Sequence, residues 1–125
     1  MTIPKFRAWT EEGEVMYYDV YPFKDDTLLL SYDEISFDEV PASDFILMQS
    51  TGLFDENDKE IFDGDIVVEE YRDSLNYGRV FYSEKKACHR VEFKNLVNGF
   101  DLADVAVKFV AGNVYENPAL LEGEE

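Results

Sequence analysis

Short apolar segments alternate with clusters of turn-forming residues along this chain, a pattern typical of a protein built from many short strands. At the start, Lys5–Trp9 alternates in polarity and is followed by the turn-like stretch Thr10–Glu14. Val15–Val20 then follows as a second strand-like segment. The two segments predict an N-terminal β-hairpin.

The stretch from 21 to 44 has no single interpretation. Pro22 and Pro41 interrupt it, and the apolar run Leu28–Leu30 fits a short helix as well as a strand. Both alternatives stay open.

From Phe45 onward, turn residues delimit the segments more clearly. Phe45–Gln49 predicts a short buried strand, after which Gly52 follows. Asp55–Asp58 predicts a polar turn, and Asp63-Gly64 predicts a second, tight turn before the β-branched strand Asp65–Tyr71. Because both glycines lie beside turn residues between apolar segments, we expect positive φ or close backbone approach at Gly52 and Gly64.

A second hairpin is predicted in the following stretch. Asn76–Gly78 indicates a loop, and Arg79–Tyr82 and Ala87–Phe93 are strand-like segments that we expect to pair with each other.

The C-terminal part predicts one more strand and a helical turn. Asn98-Gly99 indicates a turn, and Val105–Val110 alternates as a strand would before it ends at Gly112. Asn117–Leu121 predicts a short helical turn, because Asn is a good cap and Pro suits the first helical position.

These elements predict a mainly β fold, a small barrel-like or sandwich-like domain of short antiparallel strands with an N-terminal hairpin and a short C-terminal helical turn. The 10 Phe and 8 Tyr add weight to this prediction, because aromatic side chains favour strands. A length of 125 residues is typical of one domain, so we expect a single domain over residues 1–125.

The net charge of −17, from 28 acidic and 11 basic residues, changes the expected partners. A surface of this sign repels phosphate backbones, so we do not expect nucleic acid binding. Cys88 is the one cysteine, which excludes an intramolecular disulfide and a cysteine-rich zinc site. We expect no signal peptide, and no apolar run in the sequence is long enough to span a bilayer, so we also expect a cytoplasmic protein without membrane contact.

Four blocks of sequence carry a resemblance to a known family. They are Lys5–Trp9, Met48–Asp55, Lys59–Val67 and Gly112–Pro118. In this order they resemble the YopX family of bacteriophage and prophage proteins, although Asn57-Asp58 stands where that family favours Asn-Gly. The resemblance implies a single small, mostly β, phage-encoded domain of a family without an established biochemical activity. It therefore transfers no catalytic, cofactor-binding or metal-binding residue to this chain.

Clustered oxygens in the segment 55–60 suggest a calcium loop, but the spacing does not fit. Lys59 falls where an EF-hand loop needs an oxygen, and Ile66 stands where that loop needs Glu. We therefore interpret this segment as a solvated hairpin turn without a metal.

Two further pairs have the residue types of catalytic groups. Asp63 and Asp65 are two residues apart, which on a strand places both carboxylates on one face, as acid–base work would need. Cys88 and His89 are neighbours, so a strand points them to opposite faces, with Cys88 in the core and His89 on the surface. We interpret both pairs as structural.

One basic segment, residues 79–94, interleaves basic and aromatic side chains. Such a segment is able to stack on nucleic acid, but at a net charge of −17 we expect it to pair with acids such as Glu69 and Glu70, within the chain or across subunits.

The sequence thus predicts a non-catalytic phage or prophage accessory protein without cofactors that acts through protein–protein contact with a host or phage protein. Two alternatives stay open: a small-barrel nucleic-acid module that uses residues 79–94, and an uncharacterised enzyme built on Asp63 and Asp65. The abundance of Tyr and Phe also predicts self-association into a homo-oligomer, since Tyr is enriched at interfaces and strand edges need cover.

Overall fold

The structure is a computed structural model that describes residues 5–94, 96 and 99–122. The predicted fold class is confirmed: the described part is mainly β, with 53% of it in strands and one short α-helix near the C-terminus. The chain divides into two compact units, Met1–Ser50 (unit 1) and Thr51–Glu125 (unit 2). The single domain over 1–125 stays a prediction.

The predicted N-terminal hairpin is confirmed in unit 1. Strand β1 (Phe6–Thr10) pairs antiparallel with β2 (Val15–Tyr17), so that Ala8 lies opposite Tyr17. On its other side β1 pairs with the first part of β6 (Ile46–Phe54). Ala8 is fully buried because its side chain packs with Val20, Leu28 and Leu30 in the core of unit 1.

The region left open in the sequence forms a three-stranded antiparallel sheet. Its strands, in order, are β3 (Val20–Pro22), β4 (Thr27–Leu30) and β5 (Asp38–Pro41). Leu28 and Leu30 alternate with more exposed residues and pack with Ala8 and Val20 into the core of unit 1, so this run is a strand and not a helix.

The short buried strand predicted at Phe45–Gln49 is wrong in both length and burial. β6 has nine residues, and Met48 is its one buried side chain. Gly52 does not end the strand, because its φ of +79° lets the backbone continue to Phe54. Positive φ is confirmed at both predicted glycines, with +89° at Gly64.

Unit 2 contains a five-stranded antiparallel sheet in the order β11-β10-β9-β8-β12. Its strands are β8 (Asp65–Tyr71), β9 (Ser74–Ser83), β10 (Cys88–Phe93), β11 (Phe100–Asp101) and β12 (Phe109–Asn113). The tight turn at Asp63-Gly64 is confirmed and joins β8 to β7 (Glu60–Phe62). The predicted pairing of the segments around Arg79–Tyr82 and Ala87–Phe93 is confirmed as well, with Val80 opposite Val91.

The loop predicted at Asn76–Gly78 is wrong, because these residues lie inside β9. The chain reverses earlier, at Arg72 and Asp73, whose φ angles of 52° and 66° suit a two-residue hairpin turn. Gly78 serves packing instead, since a Cβ there would lie 2.7 Å from Val91 Cγ1 and 2.8 Å from Phe93 Cδ1.

The strand predicted at Val105–Val110 begins too early, since β12 spans Phe109–Asn113 and a 3₁₀ turn at Leu102–Asp104 precedes Val105. The predicted turn at Asn98-Gly99 lies partly outside the described residues. The C-terminal helical turn is confirmed as α1 (Ala119–Glu122).

The core of unit 2 explains why the segment after the 3₁₀ turn is apolar without being a strand. Val107 is buried there, and Val105 packs against the same cluster. The buried members of this core are Ile61, Val67, Val80, Val91, Phe93, Leu102 and Val107. No helix in the described ranges is long and apolar enough to cross a membrane.

Candidate interaction surface

The outer face of the three-stranded sheet in unit 1 exposes large apolar side chains. Leu28 and Leu30 point into the core, so Tyr21 and Leu29, which lie opposite each other on neighbouring strands, point outward. The ring centroids of Tyr21 and Phe37 are 5.8 Å apart, and each side chain is 45% exposed. We call this surface the aromatic face and define it as Tyr21, Phe23, Leu29 and Phe37.

The loop between β4 and β5 holds a further apolar residue in solvent. Asp33 Oδ1 accepts hydrogen bonds from the backbone N–H groups of Ile35 (2.9 Å) and Ser36 (3.0 Å), and Ser31 Oγ accepts one from Glu34 N–H (2.7 Å). The bonds from the Ser36 and Ile35 N–H groups favour the carboxylate and lower the pKa of Asp33. The loop conformation is therefore set by its own side chains, and Ile35 is left 85% exposed.

A small cleft of about 210 Å³ lies elsewhere in unit 1, between the end of β1 and the start of β6. Its apolar lining comes from Trp9, Phe45 and Ile46. The acidic residues Glu11, Glu12 and Asp44 belong to the same lining. We call this cleft the Trp9 cleft.

Ring contacts connect the Trp9 cleft with the loop that carries Ile35. The ring centroid of Tyr17 lies 6.1 Å from that of Phe45 and 5.4 Å from that of Tyr32, and both ring pairs are in edge-on geometry. Tyr32 is 59% exposed, whereas Tyr17 and Phe45 are partly buried against the core of unit 1, so the ring contacts link the cleft to the loop through partly buried side chains.

The predicted solvated turn at residues 55–58 is confirmed for residues 56–58, which are exposed, but Asp55 is buried. Asp55 is 6% exposed, and its carboxylate accepts hydrogen bonds from the backbone N–H groups of Asn57 (2.8 Å), Lys59 (2.9 Å) and Val110 (3.0 Å). The carboxylate therefore holds the turn together and ties it to β12. In the described ranges no group of three or more His, Cys, Asp or Glu is arranged to hold a metal ion.

The two carboxylates at 63 and 65 do not share the face of a strand. Asp63 lies in the turn, whereas Asp65 begins β8 and is 2% exposed. Asp65 Oδ2 accepts the Phe62 N–H at 2.7 Å, which closes the turn between β7 and β8. This arrangement is that of a structural turn.

Cys88 and His89 occupy intermediate positions, so the prediction of one core and one surface residue is wrong. Burial raises the pKa of the Cys88 thiol, which lies 3.6 Å from Asp101 Oδ1, so the thiol stays protonated and is a poor nucleophile. The His89 ring packs edge-on against the Tyr82 ring, with 5.2 Å between the ring centroids. Burial lowers the pKa of His89, and the charge of Asp63 opposes this shift in part.

The basic segment 79–94 pairs with acids, but not with the acids expected. Arg79 forms an ion pair with Glu92 at 3.5 Å, and Arg90 pairs with Asp101. These four side chains lie on β9, β10 and β11, so the pairing is local to the sheet.

The acids named in the prediction have other neighbours. Glu70 pairs with Lys108 at 3.0 Å, and Glu69 lies opposite Asn76 in the register of β8 and β9. In the turn between β9 and β10, Lys85 and Lys86 are exposed. The exposed lysines of the segment thus lie at two places, Lys85 and Lys86 in the turn and Lys94 just after β10, rather than in a continuous basic strip.

The block Gly112–Pro118 has a structural explanation. Asn113 is 4% exposed, and its Oδ1 accepts the backbone N–H groups of Tyr115 (3.0 Å) and Glu116 (2.8 Å). A Cβ at Gly112 would lie 2.7 Å from Asn117 Cγ, so only glycine leaves room for that side chain. These residues close the turn between β12 and α1.

Sequence reasoning missed the aromatic face, the Ile35 loop and the Trp9 cleft. Ser31 and Asp33 are turn-forming residues that signal a side-chain-bonded loop, and this signal was available. The cleft had no local signal, because the residues that line it come from two stretches about thirty positions apart along the chain.

Three comparisons place this chain among known proteins. A family model described as YopX protein matches residues 5–122, which include all four sequence blocks of the predicted resemblance. The crystal structure of protein EF1440 from Enterococcus faecalis is similar, with 29% identity, a TM-score of 0.66, and coverage of 97% of this chain and 99% of that one. No curated protein matches the chain.

Proposed function

The chain belongs to the YopX protein family, and on this premise we propose that it is a non-catalytic accessory protein of a bacteriophage or prophage that acts by binding another protein. The observation that carries the proposal is the exposed apolar surface of unit 1. Ile35 is 85% exposed on a loop that its own hydrogen bonds hold in place, and Phe23 and Phe37 on the aromatic face are 51% and 45% exposed. Apolar side chains exposed on an organised surface mark interaction sites, because contact with a partner removes them from water.

The candidate catalytic groups support a non-catalytic role. Asp65 is bound to a backbone N–H in a turn, and Asp55 accepts three backbone N–H groups. Burial raises the pKa of the Cys88 thiol, which disfavours the nucleophilic thiolate. These groups are engaged in holding the fold rather than directed at a shared reaction centre.

The proposed place of action is the cytoplasm of the host cell. Cys88 is a free, partly accessible thiol, and such thiols persist where the compartment is reducing.

Self-association is a second part of the proposal. In unit 2 the exposed cations Lys85 and Lys86 suit the acidic stretch 55–73 of a second copy, which would convert repulsion between copies into pairing. Exposed Tyr71 and Tyr82 offer apolar contact area for the same interface. We expect a dimer or larger closed oligomer in static light scattering at moderate salt, and a mass of 14.5 kDa at every salt and protein concentration would contradict it.

Capture of partners from a lysate, with and without nuclease, tests the protein-binding role. The bait is the wild-type chain, the variant Ile35→Ser/Phe37→Ser, or the control variant Phe54→Ser/Leu75→Ser, which removes comparably exposed apolar side chains from unit 2. We expect a host or phage protein that survives nuclease treatment, is lost from the first variant and is kept by the control.

Two outcomes would contradict the proposal. Retention that requires nucleic acid would favour the nucleic-acid module at residues 79–94. Equal retention by all three baits would show that the unit 1 surface is not used.

A further inference from the structure

We propose that the Trp9 cleft receives an arginine side chain from a basic segment of the partner protein. The inference rests on the proposed protein-binding function and identifies the chemistry of the partner. Trp9, Phe45 and Ile46 line a cleft of about 210 Å³, in which Ile46 is exposed, Phe45 is partly exposed and Trp9 is 5% exposed. This volume is below the range of about 300–1,000 Å³ typical of small-molecule sites, so it suits one side chain rather than a whole ligand.

The acidic residues that line the cleft favour a positively charged side chain from the partner. Glu11, Glu12 and Asp44 are acidic residues of the lining, and none of the described residues that line the cleft is Lys, Arg or His. A guanidinium group matches this combination, because it packs flat against aromatic rings and donates paired hydrogen bonds to carboxylates. Lysine offers a point charge without the planar face, so arginine suits the cleft better.

The surroundings of the cleft extend the same complementarity. Residues 1–50 hold 11 acidic and three basic residues, and of these three Arg7 is 3% exposed. Unit 1 as a whole therefore attracts positively charged segments and repels the negatively charged phosphates of a nucleic acid.

The loop that carries Ile35 indicates what the rest of the partner segment contains. The ring contacts from Phe45 through Tyr17 to Tyr32 lead from the cleft to the exposed apolar loop. A segment that places arginine in the cleft and an apolar residue near Ile35 would cover both features at once. The committed occupant is thus a polypeptide with basic and apolar residues, not a free ion or a nucleic acid.

Binding is measured with a fluorescein-labelled octapeptide of alternating glycine and arginine and with its glycine–lysine counterpart. Fluorescence anisotropy gives the affinity, and the emission of Trp9, the single tryptophan of the chain, reports on the cleft itself. We expect the arginine peptide to bind more tightly than the lysine peptide and to change Trp9 emission with the same saturation curve.

Two charge-matched variants separate the cleft from the general charge of the protein. Glu11→Gln/Glu12→Gln/Asp44→Asn removes the carboxylates of the cleft, and Glu56→Gln/Glu84→Gln/Asp104→Asn removes the same number and kind of exposed carboxylates from unit 2. The cleft variant should weaken binding about ten-fold or more, the ratio that corresponds to about 1.4 kcal/mol. The unit 2 variant should stay within about two-fold, because Glu56, Glu84 and Asp104 are not among the residues that line the cleft.

Equal weakening by both variants, or binding without any change in Trp9 emission, would show a non-specific attraction of polycations and overturn the inference. Failure here is distinguishable from failure of the proposed function. If the cleft variant still captures the lysate protein that Ile35→Ser/Phe37→Ser loses, the protein-binding role stands and the arginine cleft does not.

Discussion

Replacing the buried carboxylate of Asp55 tests the structural account of the 55–58 turn. Asp55→Ala removes one acceptor for three backbone N–H groups, those of Asn57, Lys59 and Val110. Hydrogen bonds to a charged group contribute about 1.5–3 kcal/mol each, and a buried donor left without a partner costs about 1–3 kcal/mol. Asn57 and Lys59 are exposed, so water replaces the carboxylate there at a cost near the lower limit, whereas the Val110 N–H is less accessible. The free energy of unfolding should therefore fall by about 3–5 kcal/mol, a large share of the ordinary stability of a domain.

Urea denaturation followed by circular dichroism measures this loss. Glu56→Ala is the matched control, because it removes a neighbouring but exposed carboxylate and should change the free energy of unfolding by less than about 0.5 kcal/mol. Asp55→Asn keeps one acceptor oxygen and should fall between the two. If Asp55→Ala costs no more than Glu56→Ala, the carboxylate does not hold the turn and the reasoning is refuted.

Three further predictions follow from individual residues. Gly78→Ala should destabilise the fold by about 1–3 kcal/mol, because its Cβ would overlap two side chains of β10. The control in thermal melting is Gly13→Ala, whose Cβ would lie 3.4 Å from its nearest neighbour. Equal melting temperatures for the two variants would contradict the packing role of Gly78. Burial lowers the pKa of His89 below its ordinary value of 6.5, so its contribution to stability is complete above about pH 6.5 and is lost as the pH falls through the lowered value. A proton NMR titration of this single imidazole should show a midpoint below 6.5, and His89→Gln should reduce the loss of stability under mildly acidic conditions; a midpoint at or above 6.5 would reverse the argument. Gel-shift assays at physiological salt should detect no binding to duplex or single-stranded DNA, and a shift that disappears in Lys85→Ala/Lys86→Ala would refute this.

Local turn chemistry was readable from the sequence at several turns that depend on their own residues. Asp63-Gly64 is such a case, because the glycine takes φ of +89° and the side chain of Asp65 closes the turn. The N-terminal hairpin and the C-terminal helical turn are others. The family resemblance came from the same residues, since its blocks coincide with turns and their flanking strands.

Glycine was misread where its role depends on a distant neighbour. The residues next to Gly78 in the sequence are typical of a loop. Val91 and Phe93 on the neighbouring strand, however, occupy the space that a side chain at position 78 would fill. Gly52 was expected after a strand, yet β6 continues through it. The packing role of Gly78 is not encoded within a few residues of it in the chain.

Burial was the property that the sequence by itself did not determine. The sequence determined the fold class, the strongest turns and the acidic character of the surface. These properties follow from the φ preferences, polarity and charge of residues close together in the chain. Only the tertiary structure decided that Asp55 is buried, that Ile35 is exposed and that Trp9 and Phe45 line one cleft. The physical reason is that burial and clefts arise from strands that pair across long separations, and the partner of a strand is chosen by the packing of the whole sheet.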